Sequence, residues 1–310
     1  MVLYVVVPCY NEEEVLHETA VRLSAKMLSL TGVNKISRDS RVLFINDGSK
    51  DGTWEIIKKL SESEVFAGIS LSRNKGHQNA LFAGLMYARE KADVVISMDA
   101  DLQDDINAID EMLDRHTEGC DIVYGVRSKR EKDGFFKRAT AEGFYKIMRL
   151  MGVDIVFNHA DYRLMSKRAL AGLAEFKEVN LFLRGIVPMI GYKSAVVMYE
   201  RGERFAGETK YPFRKMLSFA FEGATSLSVR PIRIISVIGL ISFLISFAML
   251  GYFIYDYFTG GTMPGWASTI VSIWAIGGLQ LLAIGIIGEY IGKIYLEVKG
   301  RPRYIIEDEV

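Results

Sequence analysis

The stretch VVISMDADLQDD, residues 94–105, ends an apolar run, Val94-Val95-Ile96, in four aspartates and a glutamine. Like charges at close range repel and raise each other's pKa. A strand that stops in such a cluster makes sense where a cation sits between the carboxylates, and hard cations such as Mg²⁺ take oxygen ligands. The β-branched start and the acidic stop predict a buried strand whose carboxyl end does chemistry. Asp99 and Asp101, two residues apart, are the candidate metal ligands.

Working outward, similar apolar runs recur: LYVVVP (3–8), RVLFIND (41–47), FAGISLS (66–72) and DIVYGV (121–126). Helical patterns at 11–30, 52–62, 77–90 and 106–117 separate them. Such alternation predicts an α/β fold, a mainly parallel sheet with helices on both faces. Open sheets of this kind bind ligands outside the carboxyl ends of their strands. Asp47, Arg73-Asn74, Asp99/Asp101 and Arg127 each follow one run, so four polar clusters are expected at one edge.

The 310 residues suit one large domain plus something smaller. Lys+Arg and Asp+Glu are equal at 38 each, which argues against a nucleic-acid partner. Cys9 and Cys120 lack metal-ligand spacing and read as reduced, buried thiols. The start, MVLYVVVPCYNEEE, has no basic leader and too short an apolar run for a signal-peptide core, so it reads as a first strand.

The character changes after about residue 200. Residues 213–230 place Phe213, Met216, Leu217, Ala220, Phe221, Ala224 and Leu227 at helical spacing, an amphipathic segment suited to an interface. Residues 232–257 carry only Arg233 and Asp256 as charges, and 266–288 carry none. Each run is long enough to cross a bilayer. Arg230 and Arg233 precede the first, and Lys293, Lys299, Arg301 and Arg303 follow the second, while the connecting TGGTMPG has no cation. The positive-inside rule then puts both chain ends in the cytoplasm of a multi-pass protein of the cell membrane. Gly288 and Gly292 around Glu289 are spaced for close helix packing. The expected organisation is a cytosolic domain over 1–212 and a juxtamembrane segment over 213–231. A hairpin over 232–296 (about 232–257 and 266–290) and a cytosolic tail over 297–310 complete it.

Several α/β classes put an aspartate at a strand end. A dinucleotide binder needs a glycine-rich turn after the first strand, and PCYNEEE stands there instead. An aspartyl-phosphate phosphatase would carry its nucleophile on that first strand. Together, VVPCYNEEE (6–14), INDGSKDGT (45–53), SRNKGHQNALFAGL (72–85) and DADLQD (99–104) resemble the nucleotide-sugar domain of family 2 glycosyltransferases with the GT-A fold. HADYRLMSKRAL (159–170), RGERFAGETKYPFRKM (201–216), the two spans and GEYIGKIYLEVKGRPRY (288–304) narrow the resemblance to polyprenyl-phosphate glycosyltransferases. The chain is similar to dolichol-phosphate mannose synthase in its first domain and to bactoprenol glucosyltransferases over its whole length.

The resemblance implies inverting transfer of one sugar from a nucleotide-diphosphate sugar to a polyprenyl phosphate, with a divalent cation, Mg²⁺ or Mn²⁺, at Asp99, Asp101 and Gln103. It places Pro8, Tyr10, Glu12, Asp47, Arg73, Ala100, Arg204 and Lys210 with the donor. It places Arg127, Lys137 and Arg138 with the acceptor phosphate, in GVRSKREKDGFFKRAT (125–140). Asp161 matches the family's proposed base, with a positioning role as the competing expectation. Local alternatives stay open: Asp47 as a turn or helix cap, Asn11 and the following glutamates as a cap, Arg73 and the 125–140 cations as solvated surface. His77 and His159 are set aside as metal ligands. No Q-x-x-R-W follows the D-x-D, which argues against a processive synthase. UDP-glucose is the first expectation for the donor, with UDP-N-acetylhexosamine, a UDP-pentose and GDP-mannose as alternatives. A catalytically inactive membrane scaffold is the reading from another class. Self-association into a homo-oligomer is expected.

Overall fold

The computed structural model describes residues 1–128, 159–179, 181–200, 202, 228, 230–259 and 265–310. Two compact units divide the chain: Met1–Tyr145, Asp154–Pro212 and Arg301–Val310 form one, and Lys146–Val153 with Phe213–Gly300 form the other.

In the first unit β1 (Leu3–Cys9), β2 (Arg41–Asn46), β3 (Phe66–Leu71) and β4 (Val94–Ser97) are parallel, in the spatial order β3-β2-β1-β4. Every residue of β1 and β4 is buried, as expected of interior parallel strands covered on both faces. The helices that join the strands are α1 (Leu16–Gly32), α2 (Thr53–Leu60) and α3 (His77–Arg89), with α4 (Ala108–Thr117) following β4. The α3 crossover carries the chain past β2 and β1 to β4, so the strand order reverses between β1 and β4. Ligands of open α/β sheets bind at such a reversal. Helix α3 lies close to the sheet because Gly84 has no side chain: a Cβ there would stand 2.5 Å from Val6 and 2.7 Å from Ile45.

Beyond β4 the sheet becomes mixed. β6 (His159–Ser166) runs antiparallel between β4 and β5 (Ile122–Arg127), and β7 (Ser194–Tyr199) pairs parallel to β5. Ser97 stands opposite Arg163 in this register, so two residues further on Asp161 falls at the level of Asp99. The antiparallel insertion therefore brings the start of β6 to the edge where β4 ends. Helices α5 (Lys167–Ala174) and α6 (Leu183–Met189) follow β6.

The chain's last residues supply the other edge of the sheet. β8 (Ile306–Glu309) pairs antiparallel with β3, and Gly68 and Val310 exchange backbone hydrogen bonds of 2.8 and 2.9 Å. Arg303 lies over the Phe82 ring at 4.5 Å and donates to the Phe176 carbonyl at 2.6 Å. The tail read from sequence as a separate segment is thus part of the sheet.

The second unit contains α7 (Arg230–Phe258) and α8 (Trp266–Lys299), both longer than the sequence runs suggest. They are long and apolar enough to cross a membrane, and side chains such as Leu240, Phe247, Leu281 and Ile284 are exposed. Tyr290 donates to the Ser228 carbonyl at 2.6 Å. Gly300, at φ 54°, ends α8 in the left-handed conformation that glycine adopts without strain. The amphipathic expectation for 213–231 falls almost wholly outside the described residues.

Candidate active site

The loop after β4 is held from below. Thr19 of α1 donates from Oγ1 to the Ala100 carbonyl at 2.8 Å, and Ala100 is buried. Asp101 Oδ1 accepts from the Gln103 backbone N–H at 3.2 Å, and Leu102 takes φ 58° between them. A non-glycine residue at that φ is uncommon and strained. Asp99 keeps about a third of its side chain exposed (35%). Burial and the nearby charges of Asp104, Asp161 and Asp101, partly offset by His77, push its carboxyl up to about 6.

Among the described residues no group of three or more His, Cys, Asp or Glu side chains converges as a complete cation site. Two carboxylates beside each other fit a cation that arrives with a diphosphate. Mg²⁺ ordinarily takes one or two carboxylates and completes its shell with substrate phosphates and water. Gln103 is nearly buried, so Asp99 and Asp101 are the residues suited to hold the ion.

Asp161 has 5% of its surface exposed and sits among cations. Its Oδ1 accepts from Arg163 Nη2 at 2.6 Å and Arg184 Nε at 3.3 Å, and its Oδ2 from Arg184 Nη2 at 3.0 Å. His77 Nε2 stands 3.6 Å from both Asp161 Oδ2 and Asp99 Oδ1. Burial alone would raise the Asp161 carboxyl, but Arg184, His77 and Arg163 hold it well below the usual carboxylate range. Burial pulls the His77 imidazole down, and Asp161 and Asp99 more than offset this, so its pKa is raised.

Arg127, at the end of β5, donates from Nε to Tyr199 Oη at 3.3 Å and lies 3.6 Å from Asp104 Oδ1. Tyr199 in turn donates to Asp104 Oδ1. The cation expected at the acceptor is thereby tied to the end of the acidic loop. Its intended companions Lys137 and Arg138 lie outside the described residues, as do the donor candidates Arg204 and Lys210.

Asp47 is almost fully buried, and its two oxygens accept the backbone N–H groups of Lys75 at 2.7 Å and Gly76 at 2.9 Å. Burial raises its carboxyl despite these bonds. Asp47 thus fixes the loop that leads into His77. Gly48, at φ 64°, lets that loop close in, since a Cβ there would lie 2.6 Å from the Arg73 carbonyl carbon. Arg73 itself is exposed.

The loop after β1 is stitched to the loop after β2. Asn11 Oδ1 accepts from Lys50 N at 2.9 Å, and Glu12 N donates to Thr53 Oγ1 at 3.0 Å. Glu13 Oε2 accepts from Gly52 N at 2.7 Å, just before α2, so it caps a neighbouring helix. Tyr10 is exposed at the strand end, while Pro8 is buried within β1.

Sequence reasoning placed Asp47, Arg73-Asn74, Asp99/Asp101 and Arg127 at one edge, took Asp161 from the resemblance with Arg163 as a group for it to orient, and missed Arg184 and His77 as neighbours of Asp161. Arg184 had a signal, as the lone cation in the apolar run LFLRGIV, residues 181–187. His77 was weighed only as a metal ligand. Tyr199 gave no sign, because β7 was not read as a strand.

The family model described as glycosyl transferase family 2 matches residues 4–173. An uncharacterized glycosyltransferase of Bacillus subtilis, YkoT, is 55% identical over 99% of this chain and 91% of its own. The prophage bactoprenol glucosyl transferase homolog of Escherichia coli is 40% identical, covering 99% of both chains. Among solved structures, mannosyl-3-phosphoglycerate synthase from Rubrobacter xylanophilus aligns with TM-score 0.50 at 15% identity. That alignment covers 75% of this chain and 74% of that one, a likeness of fold alone. With the family's match covering β1 to β6 and the acidic loop, and relatives aligned from end to end, the chain belongs to glycosyl transferase family 2.

Proposed function

We propose that this glycosyltransferase moves a single sugar, glucose from UDP-glucose, onto the phosphate of a membrane polyprenyl phosphate with inversion at the anomeric carbon. The observation that carries the reading is the end-to-end identity with a bactoprenol glucosyl transferase homolog. The convergence of Asp99, Asp101 and the Asp161 cluster at one sheet edge supports it. In one displacement, an oxygen of the lipid phosphate attacks the anomeric carbon while the bond to the diphosphate breaks, and UDP departs. A divalent cation held by Asp99 and Asp101 would act as a Lewis acid that offsets charge on that diphosphate. A phosphate monoester has its second pKa near 6, so most acceptor is already dianionic at neutral pH. Asp161, ion-paired to Arg163 and Arg184, then serves to position groups rather than to take a proton.

The two apolar helices anchor the enzyme in the cytoplasmic membrane, with the catalytic domain and both ends in the cytoplasm. By resemblance, Lys137 and Arg138 join Arg127 at the lipid phosphate, and Arg204 and Lys210 neutralise donor or acceptor charge. The decisive experiment incubates the purified full-length enzyme with polyprenyl phosphate and a panel of labelled nucleotide sugars. UDP-glucose label is expected in the organic phase, with UDP released only when the lipid is present. Label that remains aqueous for every sugar overturns the reading, and label from GDP-mannose alone replaces its donor. For topology, a cysteine near residue 262 is expected to react with an impermeant reagent from outside the cell, and cysteines near residues 50 and 307 are not.

A further inference from the structure

We infer that Tyr199, through its hydroxyl, is a positioning residue that orients Arg127 toward the acceptor phosphate beside the acidic loop. This rests on the transferase reading above, in which Arg127 meets the lipid phosphate, and adds the residue that holds it there.

The register of the sheet brings the two together. β7 pairs parallel with β5 so that Tyr199 stands opposite Arg127. Just beyond, the Tyr199 carbonyl accepts from the Ser128 backbone N–H at 2.9 Å and from Ser128 Oγ at 3.0 Å. The same end of β7 also holds the loop that follows β4. The Gly202 N–H donates to the Gln103 carbonyl at 2.9 Å, and the Tyr199 hydroxyl donates to Asp104 Oδ1. The end of β5 and the acidic loop are thus fastened to one short segment, with Tyr199 contacting both.

A phenol has one proton to give. Tyr199 is buried, and burial together with Asp104 pushes its phenol well above the ordinary value, although Arg127 offsets part of this. The O–H stays intact and its proton goes to Asp104, which leaves an oxygen lone pair to accept from Arg127 Nε at 3.3 Å. A bond at Nε constrains the plane of the guanidinium, while Asp104 Oδ1, 3.6 Å from Nη2, attracts its charged end. Orientation matters because a guanidinium meets a phosphate through a planar fork of donors, not as a point charge. The Tyr199 ring is fixed in turn. It stands edge-on to the Tyr162 ring at 5.3 Å, and the Tyr162 hydroxyl donates to the Asp105 carbonyl at 3.0 Å. An arginine ordered before its ligand arrives has less freedom to lose on binding.

Tyr199→Phe keeps the ring and removes the hydroxyl bridge. The test compares full-length detergent-solubilised wild type, Tyr199→Phe, Arg127→Ala and the double variant. It reads KM and kcat for polyprenyl phosphate and the dissociation constant of UDP, or of GDP where GDP-mannose proves to be the donor. A lost hydrogen bond to a charged group corresponds to about tenfold or more. Tyr199→Phe is expected to raise the lipid KM about tenfold, with kcat and the nucleotide constant changed less than about twofold, the pattern of a lost binding contact. In the Arg127→Ala background the same change should add nothing, because the residue it positions is gone. Equal weakening of nucleotide and lipid overturns the inference, and so does a KM rise of the same size with and without Arg127. An unchanged KM in Tyr199→Phe beside a raised KM in Arg127→Ala also overturns it and leaves the transferase reading standing. An unchanged KM in both refutes Arg127 as the acceptor's cation, and wild type that transfers no sugar to lipid refutes the reading as a whole; the inference falls with either. If Tyr199→Phe folds poorly, Asp104→Asn carries the test, since it leaves the hydroxyl an acceptor and removes the charge facing Arg127. A rise in lipid KM of about threefold or more with the nucleotide constant retained is then expected, and no rise overturns the inference.

Discussion

Arg163 donates from Nη2 to Asp161 Oδ1 at 2.6 Å, and both side chains are buried. An ion pair of this kind makes the carboxylate a weak base, because taking up a proton would strand the guanidinium. Asp161→Asn is expected to lower turnover about 100-fold by misplacing Arg184, with equal loss across the pH range and UMP binding retained. If the defect shrinks as pH rises above the phosphate's second pKa, near 6, Asp161 is the proton acceptor and the positioning role fails.

The same pair sets a pH dependence of stability. The folded carboxyl of Asp161 lies below its unfolded value of 3.8. Its stabilising contribution is therefore complete above about pH 4 and is lost as pH falls through the folded value. Removing one partner of a buried ion pair costs about 3–5 kcal/mol. The Tm gap between wild type and Asp161→Asn should be widest near neutrality and narrow below about pH 4. A gap that widens in acid would contradict the ion-pair assignment.

What could be read beforehand follows from how local each signal is. The parallel half of the sheet was legible because β1 to β4 are short, apolar and punctuated by polar strand ends, and Asp99 and Asp101 lie two residues apart just after β4. The antiparallel half was not, since HADYRLMS mixes a buried arginine and aspartate into a strand whose polarity makes sense only once Arg163 and Asp161 are paired. SAVVMY alternates exposed and buried positions, but nothing local says that it pairs with β5. The strand IEDE at the chain end is exposed along its whole length and carries three acids, so no hydrophobic period announces it. Asp47 was identified as important, but its backbone partners Lys75 and Gly76 lie 28 and 29 residues away, beyond what a local motif can specify.

The Asp99 carboxyl, pushed up to about 6, competes for protons with any cation bound there. Below about pH 6 the ion has to displace a proton, so apparent Mn²⁺ affinity should fall by up to tenfold per pH unit and level off above. Titration without nucleotide separates this from the phosphate's own ionisation. Asp99→Ala and Asp101→Ala should each lower transfer by about 1,000-fold, corresponding to several kcal/mol of barrier. Affinity that stays constant from about pH 5 to about pH 8, or near-normal transfer in chelator, would remove Asp99 from the cation site.

The last strand ties the end of the chain to the sheet next to the loop that positions His77. The amides of Gly68 and Ser72 donate to the carbonyls of Val310 and Ile305 at 2.8 and 3.0 Å, and Ser72 directly precedes Arg73. Deleting residues 305–310 removes these acceptors and leaves β3 as an unpaired edge, a template for aggregation. With each backbone hydrogen bond worth about 1 kcal/mol net, the deletion should destabilise the catalytic domain by about 2–4 kcal/mol. Hydrogen exchange reads the effect by residue: the Gly68 and Ser72 amides should lose protection, whereas Val6, inside β1, should keep it until global unfolding. If Gly68 and Ser72 stay protected in the truncated enzyme, another segment covers β3 and the tail is dispensable for the sheet.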